Sequence, residues 1–103
     1  MTYRVFKRPQ AERDIEECFV YIAEGNVDIG VSFLDAVENS LTRLAKFPLL
    51  GKRREFQHKR FREVRMWHVK GYENYLVFYS VMENTIEVIR VLQGSRDIES
   101  LFG

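Results

Sequence analysis

The chain has 103 residues, of which 46% are hydrophobic and 14% aromatic. This length and composition predict a single domain, residues 1–103, with one packed core, and they exclude a disordered chain. No apolar run approaches the roughly 18–20 residues of a membrane span, and the first ten residues lack the apolar core of an export signal. Since a single cysteine, Cys18, cannot form an internal disulfide, we expect a cytoplasmic protein.

The net charge of +1 hides an uneven distribution of charged residues. Residues 10–45 carry eight acids and two bases, whereas residues 46–70 carry nine bases and two acids. Such a chain is nearly neutral overall and can still present one basic face to a partner. The alternative is that the two halves attract each other and that the basic run is a solvated loop.

The first half of the sequence predicts a strand followed by two helices. A short strand at Tyr3–Lys7 precedes Pro9, which suits the first turn of a helix. Gly25 is predicted to end this helix in a left-handed conformation, and Asn26 or Asp28 to cap the next. Each helix has an apolar stripe with helical spacing: Ala11, Ile15, Cys18, Phe19 and Ile22 in the first, and Phe33, Val37, Leu41, Leu44 and Ala45 in the second.

The second half of the sequence predicts three strands after a polar, basic loop at residues 50–59. The segments are Phe61–Val69, Asn74–Met82 and Thr85–Leu92, and a tight turn at Glu83-Asn84 joins the last two. The middle segment is apolar on both faces, so we expect it at the centre of the sheet. The order β-α-α-β-β-β predicts an α+β fold, in which a helical hairpin packs on a small, mainly antiparallel sheet.

Motifs in a fixed order give the chain a resemblance to a known family. They are A-x-x-D-I-x-x-x-x-x-Y-I at residues 11–22, L-x-x-L-A-x-F-P-x-x-G at 41–51, F-R-E-V-R at 61–65, N-Y-L-V-F-Y at 74–79 and I-E-V-I-R-V-L-Q-G-S-R-D at 86–97. The helical motifs alone fit many amphipathic hairpins. In this order and spacing, the set resembles the RelE/ParE superfamily of toxins from bacterial type II toxin–antitoxin systems.

The resemblance implies one of two activities. RelE-like members are ribosome-dependent endonucleases that cut mRNA, whereas ParE-like members bind DNA gyrase. Cleavage of RNA needs cations for the phosphate and benefits from a group that transfers a proton. Leu101-Phe102 stand where the nuclease class has a tyrosine, and Gln93 stands where many relatives have a histidine; His68 is the one remaining candidate for proton transfer. The available cations are Arg62, Arg65, Arg90 and Arg96.

The segment E-x-x-R-V-L-x-G-x-R-D at residues 87–97 favours the ParE branch. The resemblance then implies a plasmid-stabilisation type of toxin that inhibits growth by binding DNA gyrase rather than by catalysis, and that a cognate ParD-like antitoxin neutralises. Two alternatives stay open. One is a RelE-like mRNA endonuclease with Arg62, Arg65, His68 and Arg90 as its catalytic residues; the other is a non-toxic member that only binds antitoxin and regulates its own operon.

The candidate site residues fall into two groups. The target-binding candidates are Arg62, Arg65, Arg90, Gln93 and Arg96, and the antitoxin-binding candidates are Phe19, Ile22, Phe33 and Val37. A buried guanidinium needs a partner, so Arg90 is expected to pair with Glu87 or Asp97 or to lie on an open face.

Other expectations concern the end of the sheet and the ligands. Arg96 is expected to pair with Asp97 and fasten the end of the sheet. We expect no cofactor, metal ion or membrane. Direct contact with nucleic acid is expected only through the antitoxin or, in the nuclease alternative, on ribosome-bound mRNA.

Overall fold

The computed structural model describes residues 2–56 and 63–102. In these ranges the elements are β1 (Arg4–Lys7), α1 (Pro9–Gly25), α2 (Val27–Lys46), β2 (Lys52–Arg54), β3 (Val64–Val69), β4 (Tyr72–Met82), β5 (Thr85–Gln93) and α3 (Ile98–Phe102). The strands form one sheet in the order β1-β5-β4-β3-β2, in which β1 is parallel to β5 and the other neighbours are antiparallel. The predicted α+β architecture is confirmed, and β4 lies at the centre of the sheet as expected.

Two elements differ from the prediction. β2 lies in the segment predicted to be a loop, where Lys52, Arg53 and Arg54 pair with β3. Three basic residues show no alternation of apolar and polar side chains, yet an edge strand needs only backbone pairing, and charge is common there. α3 is five residues long, too short for helical periodicity to reveal it. The start of the predicted strand Phe61–Val69 lies outside the described residues.

A single residue joins the two helices of the hairpin. Asn26 has extended backbone angles; its backbone N–H donates to the Ile22 carbonyl, and its side chain accepts from Ile29 N at 3.1 Å. The predicted cap at Asn26 is therefore confirmed. α1 ends at Gly25 as predicted, but the predicted left-handed conformation is wrong, because among the described glycines positive φ is found at Gly71.

The main core lies between the helical hairpin and one face of the sheet. The apolar stripe of α2 is buried in it, with Phe33 and Leu44 fully inaccessible. Full burial of a side chain of this size contributes about 1.5–3 kcal/mol to folding. The sheet residues of this core are Val69, Tyr75, Val77, Tyr79, Ile86, Val88 and Val91.

A smaller core covers part of the opposite sheet face. Phe78, Ile89 and Leu92 pack there against Ile98 of α3 and against Phe56. The C-terminal helix covers part of this face, whereas Phe6 and Met82 remain 50% and 62% exposed.

Candidate functional site

Arg90 is bound within the protein by Asp14 of α1. Its Nε donates to Asp14 Oδ2 at 2.7 Å and its Nη2 to Asp14 Oδ1 at 3.0 Å. Asp14 is 2% exposed and Arg90 17%, so the pair is largely removed from water. The predicted partners are wrong: Glu87 pairs with Arg8 at 3.0 Å instead, and Asp97 accepts a hydrogen bond from Ser100 N of α3. A planar guanidinium that forks onto a carboxylate is a geometrically specific contact.

The same carboxylate completes the edge of β5. β1 pairs with β5 up to Val88 and ends at Lys7, which leaves the next backbone groups of β5 without a strand partner. Arg8 N donates to the Val88 carbonyl at 3.0 Å, and Val91 N donates to Asp14 Oδ2 at 3.1 Å. Arg90 also donates to the Leu101 carbonyl at 3.3 Å. The Asp14–Arg90 pair therefore joins α1, β5 and α3.

Arg65 is also held by backbone groups of the protein. Its Nη1 donates to the Gly51 carbonyl at 2.7 Å, beside Tyr79. The Tyr79 hydroxyl accepts from Gly51 N at 2.9 Å and donates to the Pro48 carbonyl at 2.7 Å. A Cβ on Gly51 would lie 2.6 Å from that hydroxyl, so the close approach requires glycine. Burial raises the pKa of Tyr79. Arg65 thus anchors the segment between α2 and β2.

Arg96 and Gln93 line an open cleft of about 200 Å³ between α1 and the end of β5. Arg96 is exposed, and within the described ranges no ion pair joins it to Asp97. The predicted Arg96–Asp97 pair is wrong, because Asp97 accepts from Ser100 N at the start of α3. Tyr21, which is 66% exposed, lies on the opposite wall of this cleft.

Cys18 also lines this cleft. Burial, together with the negative charges of Asp14 and Glu17, raises the pKa of the Cys18 thiol from 9.0 to about 11. The thiol is therefore protonated near neutral pH and is a weak nucleophile. In the described part of the chain, no three His, Cys, Asp or Glu side chains lie close enough together to hold a metal ion.

His68 lies in a separate cleft, away from Arg90. This cleft is formed by α2, the end of β3 and the start of β4, and Arg43, Trp67 and Lys70 also line it. The structure therefore does not bring together the described members of the nuclease set: Arg65 is bound beside Gly51 and Arg90 beside Asp14. Arg62 lies outside the described residues.

The antitoxin-binding candidates divide by burial. Phe33 and Val37 are 0% and 1% exposed and contact the protein's own sheet. Ile22 is half-buried against the same core. Phe19 lines an apolar groove of about 280 Å³ where α1 meets α2 and β1, with Ile15 and Leu34. In this conformation, Phe19 and its groove are the part of the predicted surface that a partner can reach.

The comparisons with known proteins agree with this fold. Residues 5–98 match the family described as the ParE toxin of the type II toxin–antitoxin system parDE. The chain belongs to the ParE toxin family. A solved chain described as the chromosomal ParDE TA system from P. aeruginosa is similar in fold, with a TM-score of 0.70 and 12% identity over 89% of this chain and 96% of that chain. No curated protein matches at a significant level.

For a ParE-type toxin, the family implies an antitoxin as partner.

Two features of its structure were not predicted from the sequence. Asp14 falls in line with Ala11, Ile15 and Cys18 on the apolar stripe of α1, and an acid in that position signals a buried cation partner. No pattern in the sequence indicated that Arg43 and Lys70 line the same cleft. No helix in the described ranges is long and apolar enough to cross a membrane.

Proposed function

We propose that this ParE-type toxin inhibits growth by binding DNA gyrase and that a cognate antitoxin neutralises it. The observation that carries the proposal is the family match over residues 5–98. The mode of action is protein binding rather than catalysis. The toxin needs an exposed contact surface for its target, and it needs a second surface for the antitoxin.

The position of the arginines supports binding over mRNA cleavage. A nuclease needs guanidinium groups that are free to meet the scissile phosphate, but Arg90 is engaged by Asp14 and Arg65 by Gly51. β4 separates the strands that carry these two arginines. His68 lies in another cleft. Leu101, in the segment where the nuclease class has its tyrosine, has no proton to donate.

The target surface in this proposal is the cleft around Arg96. Arg96 is exposed and lines this cleft together with Gln93 and Tyr21. Arginine and tyrosine are the residue types that contribute most to protein–protein interfaces. The antitoxin surface is the Phe19 groove, whose apolar floor and length along α1 suit an amphipathic helix.

Expression without antitoxin, in cells that carry a DNA-damage reporter, tests the proposal. We expect growth arrest together with strong induction of the reporter, because a poisoned gyrase leaves DNA breaks. Arg96→Ala should require about tenfold more toxin for the same arrest, since an interface arginine contributes more than about 1 kcal/mol. Arg4→Ala, an exposed arginine on β1, is the matched control and should arrest growth normally. Arrest without induction would contradict the gyrase target.

A further inference from the structure

We propose that the cleft between α2 and the end of β3 binds a nucleotide unit, with the base on Trp67 and His68 and the phosphate on Arg43 and Lys70. We call it the Trp67 cleft, and Ser40 and Glu73 complete its walls. Its volume is about 370 Å³, within the usual range of small-molecule sites, roughly 300–1,000 Å³. It is separate from the cleft around Arg96 and from the Phe19 groove.

Two aromatic rings form the first half of the site. Consecutive side chains on a regular strand point to opposite faces, yet the rings of Trp67 and His68 stack with centroids 4.6 Å apart and planes at 28°. The register between β3 and β4 shifts at His68/Val69, and such bulges re-aim side chains. The two rings therefore form a stack that lines the cleft, and a base can extend this stack from an outer face.

Two cations form the second half of the site. Arg43 on α2 and Lys70 in the turn after β3 are both exposed. In the described ranges, neither forms an ion pair with an acid. The acid of the cleft is Glu73, whose carboxylate accepts from Gly71 N at 2.8 Å. Backbone hydrogen bonds from Gly71 and from its own N–H lower the pKa of Glu73. Two cations and one carboxylate give these three side chains a formal charge of +1, which suits a phosphate diester.

Hydrogen bonds of a buried serine hold one wall of the cleft in place. Ser40 is 4% exposed; its hydroxyl donates to the Ala36 carbonyl at 2.8 Å and accepts from Lys70 N at 3.3 Å. This contact holds the end of β3 against α2. A prebuilt site avoids part of the ordering cost of binding.

A stacked pair of aromatic rings beside two cations matches the chemistry of a nucleotide. A carboxylate ligand contacts only the cations, whereas a nucleotide contacts the cations with its phosphate and the rings with its base. A free mononucleotide and one unit of a single strand share this chemistry. The sequence led us to expect no direct nucleic-acid contact for a gyrase-binding toxin, and this inference departs from that expectation.

Fluorescence can test the site directly, because Trp67 is the single tryptophan of the chain. The purified full-length chain is titrated with octauridylate, with uridine monophosphate and with inorganic phosphate. We expect saturable quenching by octauridylate that Arg43→Gln or Lys70→Gln weakens about tenfold. Each removed cation should also lower the slope of log affinity against log salt by about 0.7. Arg4→Gln, on the opposite edge strand β1, is the matched control and should bind normally.

The remaining arms identify the source of the nucleotide or overturn the proposal. Equal affinity for uridine monophosphate and octauridylate would support a free nucleotide, and tighter binding of the octamer would support a single strand. Quenching by inorganic phosphate at the same concentrations would overturn the proposal in favour of a simple anion site. Absence of quenching by both uridine probes, or equal weakening by Arg4→Gln, would also overturn it. Circular dichroism establishes that each variant is folded.

Discussion

The buried carboxylate of Asp14 connects α1 to β5. It accepts hydrogen bonds from Gln10, from Arg90 through two nitrogens and from the backbone of Val91. Four acceptor positions are about the capacity of a carboxylate, so the buried charge is fully satisfied. Removing one partner of such a pair leaves the other charge buried and unpaired, which costs more than the pair contributes.

We therefore predict that Asp14→Ala lowers the free energy of unfolding by about 3–5 kcal/mol. Asp14→Asn should cost less, because its amide oxygen can still accept from Val91. Glu16→Ala, at an exposed position of the same helix, is the control and should change stability by less than about 0.5 kcal/mol. Urea unfolding followed by circular dichroism measures all three. Equal midpoints for Asp14→Ala and Glu16→Ala would contradict this role of the pair.

Cys18 gives a second prediction at the scale of a residue. Because its pKa is raised from 9.0 to about 11, the thiolate fraction at pH 8 is lower than that of an ordinary thiol by a factor of about 100. The folded chain should therefore react with iodoacetamide about 100-fold more slowly than the same chain in urea. The rate should rise with pH up to about 11. Equal rates in the folded and unfolded chains would show that the thiol is free and unperturbed.

At the scale of elements, the helical hairpin combines a buried face with an open groove. The apolar stripe of α2 is buried in the core, whereas Phe19 of α1 lines the groove with Ile15 and Leu34. The sequence grouped Phe19 with Phe33 as antitoxin contacts because both lie on apolar stripes. Periodicity identifies an apolar face, but it does not reveal how much of that face the second helix and the sheet already cover.

The Phe19 groove leads to a prediction about the antitoxin. Phe19→Glu should weaken binding of the cognate antitoxin at least tenfold, because the substitution places a charge in an apolar contact. Val20→Glu is the matched control: Val20 is the next residue, 50% exposed and outside the groove, and its substitution should leave affinity within about twofold. Isothermal titration of the folded variants with antitoxin measures both affinities. A larger loss for Val20→Glu would place the antitoxin on the outer face of α1.

The elements also show what a sequence can predict. The long amphipathic helices and the strands with β-branched residues were recognisable from periodicity and from turn residues such as Glu83-Asn84. The Asp14–Arg90 pair was not, because the two residues lie 76 positions apart and nearer acids, such as Glu87, offered equally good partners. The stacking of His68 on Trp67 was not predictable either, because alternation along a strand places consecutive side chains on opposite faces.

At the scale of the whole molecule, the charges separate by layer. The exposed face of α1 carries Glu16, Glu17 and Glu24, whereas the far edge of the sheet carries Lys52 and Arg53. The uneven charge along the sequence is therefore an uneven charge in space. An acidic helical layer and a basic sheet edge can steer different partners to different sides. Both proposed partner surfaces, the Phe19 groove and the cleft around Arg96, border α1, so the basic sheet edge lies outside both of them.

The most direct measurement is the supercoiling activity of purified DNA gyrase in the presence of the purified toxin. We predict that a small molar excess of toxin inhibits supercoiling or traps cleaved DNA, and that added antitoxin restores normal activity. Arg96→Ala should require about tenfold more protein for the same inhibition. Full supercoiling with an excess of folded wild-type toxin would contradict the account, and ribosome-dependent cleavage of mRNA by the same preparation would replace gyrase with the ribosome as the target.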